Sequence, residues 1–246
     1  MKERPVLFSG AMVRAILEGR KTQTRRVMKH QPPDDVAPIT VARYHPTIID
    51  RRGDEAPGPE IFGAFSDDGD WGCKSPFGEP GDRMWVREAW RVGKPHDRTK
   101  PSDILDPIIA RGQGVTVLYE AGGWRSVGPA GRAEPIYPDD AAMPDWAGKY
   151  RQSMFMPHWA SRITLEITGV RVERLQDISE SDARAEGVTI EEHHMRGYCA
   201  GAYGPPSIRA FHDLWNGLNA ARGHGWDANP WVWVIEFRRI DGSEKR

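Results

Sequence analysis

The chain has almost no cysteine and no excess of either charge. Cys73 and Cys199 are its entire complement, too few for a disulfide framework. Lys and Arg total 34 against 35 Asp and Glu, and proteins that live on duplex DNA carry a strong basic excess. No strong duplex-DNA binding is therefore expected. No apolar run approaches the length that spans a bilayer, and Met1-Lys2-Glu3-Arg4-Pro5 lacks the apolar core of a signal peptide. These absences point to a cytoplasmic protein without a membrane partner. His193, His194, Cys199 and His212 follow no metal-ligand spacing, and Cys73 has no Cys or His at a ligand-like interval. Neither a metal nor a cofactor is expected.

Hydrophobic residues make up only 39% of the 246 positions, while 26 glycines and 20 prolines are scattered among them. That balance suits a compact core carrying long irregular insertions. The ten tryptophans are numerous, and several lie in glycine- and proline-rich surroundings where a flat ring can serve as a stacking surface.

The cations are uneven. Arg14, Arg20, Lys21, Arg25, Arg26 and Lys29 crowd one short stretch, opposed only by Glu18. Ser9 reads as an N-cap, and Met12, Val13, Ile16 and Leu17 recur at helical spacing before Gly19. The run Gly19-Arg20-Lys21-Thr22-Gln23-Thr24-Arg25-Arg26 thus follows a short helix. A lysine among cations is pushed toward its neutral amine, whereas a helix C-terminus favours the charged form. A neutral lysine three residues before a threonine is a base beside a hydroxyl nucleophile. The same residues also make a plain anion-binding patch.

Strands are expected at Met84–Trp90, Val115–Glu120, Ser161–Leu175 and Trp231–Ile240, with helices at Ile178–Gly187 and Ile208–Ala221. Residues 31–80 and 94–157 read as irregular insertions, and 188–206 as another irregular stretch. The whole is expected to be a single α+β domain over residues 1–246, a small mixed barrel with flanking helices. By alternation Trp85 and Arg87 share one strand face, suited to stacking on a base, with Glu88 on the other. Asn229 and Trp231, in the polar-aromatic loop before the last strand, are placed to read a nucleobase edge. Arg25 suits a planar phosphate or carbonyl.

The Gly-x-Lys-Thr-x-Thr-Arg element, the Gly81-Asp82-Arg83-Met84-Trp85-Val86 strand, the Ser179–Gly187 helix and Val232-Trp233-Val234-Ile235-Glu236-Phe237 occur in one order. In that order they resemble the ASCH family of the PUA-like superfamily, in particular its larger members common in phages. The resemblance covers roughly half the chain and leaves both insertions outside it. It implies a PUA-like barrel. Family members that deacetylate N4-acetylcytidine carry a lysine, a threonine three residues on, and a glutamate closing the internal helix. Lys21, Thr24 and Glu186 occupy those places, which implies an amidohydrolase acting without metal on an acylated nucleoside or nucleobase. Arg25, Trp85, Arg87, Asn229 and Trp231 then become candidates for substrate contact. The resemblance leaves open a non-catalytic reader of RNA or a modified base, a ribonuclease, and a phage assembly protein whose insertions contact a protein partner.

Overall fold

The computed structural model describes residues 1–36, 38–128, 143–195 and 204–240. It is a mixed α+β structure with several sheets. In chain order the strands and helices are β1 (Glu3–Leu7), α1 (Gly10–Leu17), β2 (Gln23–Val27), β3 (Ile39–Tyr44), β4 (Thr47–Ile49), β5 (Glu55–Pro57), β6 (Ile61–Ser66) and β7 (Gly72–Lys74). There follow β8 (Arg83–Arg87), β9 (Trp90–Arg91), α2 (Leu105–Ile109), β10 (Val115–Tyr119), β11 (Trp124–Val127) and β12 (Thr164–Arg174). The last are α3 (Glu180–Ala185), α4 (Glu192–Met195), α5 (Pro206–Asn219) and β13 (Trp231–Ile240).

The chain divides into two compact units. The first gathers Met1–Lys2, Arg20–Asp82 and Glu166–Arg238, and the second gathers Glu3–Gly19, Arg83–Leu165 and the described residues from Arg239. In the first unit β13 lies between β12 and β2, antiparallel to β2, with Ile235 opposite Thr24 and Val234 opposite Arg25. Side chains opposite each other in a ladder share a face. Val232 and Val234 therefore point the same way as Gln23, Arg25 and Val27. That face is covered by α3 and α5, where Val232 and Val234 pack with Leu175, Ile178, Ala183, Phe211, Trp215 and Trp226. The amphipathic pattern of α5 and the unbroken apolar run of β13 are the sequence causes of this core.

The stretch expected to be an irregular insertion at 31–80 is instead largely strand. The sheet β3–β6–β7 and the pair β4–β5 are both antiparallel. Each strand is at most six residues long and bounded by Pro, Gly or Asp, so turn residues swamp the alternation signal. Close pairing of β6 with β7 depends on Gly63, where a Cβ would meet the Cys73 carbonyl oxygen at 2.2 Å.

In the second unit β1 and β8 run parallel, in a register from Glu3 with Arg83 to Leu7 with Arg87. Ser9 caps α1 through its hydroxyl, as its sequence position suggests. Residues 94–157 are less irregular than expected, because β11 joins β10 and β9 in an antiparallel sheet. This sheet packs over Trp90, Val92, Ile104, Ile108, Val117, Met156 and Ala160. No sheet confined to either unit closes into a barrel among the described residues. None of the described helices is long and apolar enough to cross a membrane.

Gly63→Ala should force β6 and β7 apart, since the contact is with backbone and cannot be relieved by a rotamer. The expected cost is about 1–3 kcal/mol, read as a lowered urea midpoint with an unchanged slope.

Candidate active site

The cation run after α1 enters β2 already laced to the end of α3. Lys21 and Glu186 form an isolated antiparallel bridge, Thr22 N–H donates to Ala185 O at 2.9 Å and Phe237 N–H to Thr22 O at 2.8 Å. Glu186 is the C-cap of α3, and Gly187 turns the chain away with φ at 77°, a left-handed value that glycine adopts without strain. The helix end leaves carbonyl groups without intrahelical donors. Lys21 Nζ serves that of Glu186 at 2.8 Å and Thr22 N–H that of Ala185, while Arg20 holds Gly187 O, just beyond the helix, at 3.0 Å.

Lys21 Nζ also donates to the Glu186 carboxylate, 2.7 Å from Oε2. Both residues are buried, at 2% and 3% exposure, so this is an amine and an acid paired out of water. The second oxygen of Glu186 is held by Arg25, whose Nη1 lies 3.2 Å from Oε1. Burial pushes the Lys21 amine below its ordinary value. Glu186 pulls it back up, and Arg26 and Arg25 add to the lowering. The neighbouring cations thus act in the expected direction, but burial is the larger cause.

Arg25, expected to contact substrate, is turned to the protein's own carboxylates. Its side chain is fully enclosed and spends itself on three carboxylates. Nε and Nη2 reach Glu173 Oε1 at 3.0 and 2.6 Å, and Nη2 also reaches Asp182 Oδ2 at 3.1 Å. Gln23 completes the cradle by donating to Asp182 O and Oδ1. Arg171 ties Glu173, Asp182 and Glu236 together from the rim. Burial works against ionised Asp182, yet the Gln23 hydrogen bond, Arg171 and Arg25 hold its carboxyl below the usual value. Sequence reasoning missed Gln23, Glu173, Asp182 and Arg171. Asp182 reads as an ordinary first-turn helix acid, but Arg171 and Glu173, two apart on β12, carry an alternation signal for one charged face.

Thr24 is buried as well, and strand alternation turns it to the opposite face from Gln23 and Arg25. Its hydroxyl makes no hydrogen bond among the described residues, and it is not among the buried polar atoms sealed without a partner. A buried hydroxyl without other duties, three residues after a lysine whose proton affinity is lowered, is a group that could attack a carbonyl.

The other expected contacts are occupied differently. Asn229 takes a left-handed φ of 41° and its Oδ1 accepts from Gln176 N–H at 2.9 Å, so its side chain shapes the turn instead of reading a base. Trp231 is covered by the Arg174 guanidinium, 4.9 Å from its ring centroid. Trp85 and Arg87 belong to the second unit. They do share a face, but Arg87 lies over the Trp85 ring at 4.6 Å and His158 meets it edge-on, so that ring is no open platform. Glu88 is an enclosed partner of Arg162, bonded at 2.8 and 2.9 Å, and burial raises its carboxyl against that pairing.

His193, His194 and Asp213 bring three donor atoms within 4.8 Å of one another. However, His194 Nδ1 accepts from Glu191 N–H and its Nε2 lies 2.9 Å from Asp213 Oδ2. A nitrogen that accepts forces the proton onto the other one, so His194 has no lone pair left for a metal in this arrangement. Cys199, weighed with these histidines in the sequence, lies outside the described residues.

Two outcomes are expected from the charge cluster. Arg25→Met strands Glu186, Glu173 and Asp182 in a buried setting and should cost about 3–5 kcal/mol by urea unfolding. Lys21 binds its proton more weakly folded than unfolded, so the unfolded chain holds more protons and stability climbs with pH toward the ordinary lysine value of 10.5. In Lys21→Met that alkaline rise should vanish, as urea midpoints across pH will record.

Comparison with protein-family models, curated proteins and solved structures finds no match in any of the three.

Proposed function

We propose that this chain is an amidohydrolase that removes an acyl group from the exocyclic amine of a modified nucleoside or nucleobase, such as N4-acetylcytidine, without a metal. On this reading its sheets belong to a PUA-like barrel of the ASCH type. The observation that carries the proposal is the buried contact of Lys21 Nζ with the Glu186 carboxylate, 2.7 Å apart across 165 residues of sequence. Fold resemblance alone would not argue chemistry. An amine held below its normal basicity, an acid fixed against it and an uncommitted hydroxyl are the groups that acyl transfer requires.

Lys21 as the free amine takes the Thr24 proton while Thr24 Oγ1 attacks the acyl carbon. The resulting ammonium returns its proton to the nucleoside nitrogen as the C–N bond breaks, leaving an acyl-threonine ester. Water then attacks that ester, passing one proton through Lys21 back to Thr24 Oγ1, and the carboxylic acid leaves. Glu186 directs the lysine through Oε2, and Arg25 keeps that carboxylate aligned through Oε1. Base catalysis of this kind contributes about 10²–10⁴-fold.

The test is incubation with N4-acetylcytidine and chromatographic detection of cytidine. Lys21→Ala and Thr24→Ala should each lower kcat/KM by about 10²–10⁴-fold, with Thr24→Ser retaining part of the rate. The wild-type kcat/KM should rise with pH and level off below 10.5, because the active form is the deprotonated Lys21. Release of no cytidine across that range overturns the reading. Ligand binding without turnover would make the protein a reader of the same base.

A further inference from the structure

Helix α3 carries Glu186 at its end, and its six residues are too few to hold a helix in place by their own hydrogen bonds. Asp182, one turn before Glu186 and on the same face, is its other tie to β2. Every polar atom of Asp182 is engaged. Its N–H donates to Ser179 Oγ at 3.1 Å. Its carbonyl accepts from Gln23 Nε2 at 2.7 Å and from Glu186 N–H at 2.9 Å, and Oδ1 accepts from Gln23 Nε2 at 3.1 Å. Oδ2 takes Arg25 Nη2 at 3.1 Å and Arg171 Nη2 at 2.9 Å.

Two of these partners run straight on to Glu186. The Asp182 carbonyl is shared, so Gln23 grips the same oxygen from which the Glu186 N–H hangs. The Arg25 guanidinium reaches Asp182 through Nη2 and Glu186 through Nη1, and its rigid fork sets the spacing of the two carboxylates. Asp182 also completes a charge balance. Lys21, Arg25 and Arg171 are paired with Glu186, Glu173 and Asp182, and Glu236 lies at the rim. The Asp182 side chain is 26% exposed, so the fold does not need it to fill a core position.

We propose that Asp182 is a positioning residue for the reaction at Lys21, a role that rests on the hydrolase reading of that site. It acts through two other groups. It holds α3 so that the Glu186 carboxylate meets Lys21 Nζ, and it offsets part of the Arg25 charge. Burial works against ionised Asp182, yet the Gln23 hydrogen bond, Arg171 and Arg25 hold its carboxyl below the usual value. Its charge is therefore present wherever the lysine titrates. Beside the larger effect of burial, Arg25 already presses Lys21 toward the neutral amine. Without Asp182 the cluster has one cation in excess, and the lysine is driven further the same way.

Asp182→Asn keeps the size of the side chain and removes its charge, whereas Asp182→Glu keeps the charge on a longer arm. With N4-acetylcytidine, Asp182→Asn should lower kcat roughly 10- to 100-fold and leave KM within about twofold of wild type. The pH at which kcat/KM levels off should fall by about 0.5–1 pH unit. Asp182→Glu should level off at the wild-type pH, with a kcat between those of the other two. An unmoved levelling pH in Asp182→Asn overturns the inference, since lost packing alone lowers activity without shifting it. So does a raised KM at wild-type kcat, the mark of a substrate contact, or full activity in Asp182→Glu. Urea midpoints across pH give a readout that needs no substrate. The alkaline rise in stability that Lys21→Met abolishes should begin about 0.5–1 pH unit lower in Asp182→Asn, and at the wild-type pH in Asp182→Glu. An unmoved onset in Asp182→Asn overturns the inference whether or not the wild type releases cytidine. A moved onset without any release of cytidine leaves the coupling of Asp182 to Lys21 standing and overturns the hydrolase reading alone.

Discussion

A single carboxylate, that of Glu186, has each of its oxygens claimed by a different buried cation. Lys21 holds one and Arg25 the other. An unpaired charge at this depth would be prohibitively costly, so the acid and its cations must be buried together or not at all. Much else in the first unit follows from that requirement. Arg25 brings charge in excess of what Glu186 can balance, and Glu173 and Asp182 complete the balance. Arg171 then links both acids to Glu236 at the rim. The first residues of β2 are polar yet buried because this network, and not an apolar face, receives them.

The network also divides one short strand into two faces of different duty. Gln23 and Arg25 face the helices and serve structure, while Thr24 faces away and has no structural bond to give up. Lys21, just ahead of the strand, belongs to the charged side through Glu186 yet precedes Thr24 by only three residues. A fixed scaffold is thereby separated from an uncommitted hydroxyl by the pleat of the sheet alone.

The amphipathic and apolar elements were legible in the sequence. β13 lies where its unbroken Trp-Val-Trp-Val-Ile run puts it, α3 opens at Ser179, and α5 follows its helical spacing. The pairing of Lys21 with Glu186 could be anticipated from the motif each carries. The partners of Arg25 could not, because a guanidinium that grips phosphate and one buried among carboxylates have the same sequence neighbours. Asn229 misled for a related reason: an amide can read a base or close a turn, and its left-handed backbone decides for the turn. The strands of residues 39–74 escaped notice because their signal lies in pairing partners, not in periodicity. Short strands become stable only when a neighbour supplies the ladder.

The separation of Lys21 from Glu186 along the chain has a consequence during synthesis. At about 5–20 residues per second, the 165 positions from Lys21 to Glu186 take roughly 8 to 33 seconds to emerge. Throughout that interval the cations around Lys21 and Arg25 are on the nascent chain without the acids that later bury them. They remain hydrated, and β2 gains its place later still, when its ladder partner β13 leaves the ribosome. The order of translation thus makes the buried charge network one of the last parts of the first unit to exist.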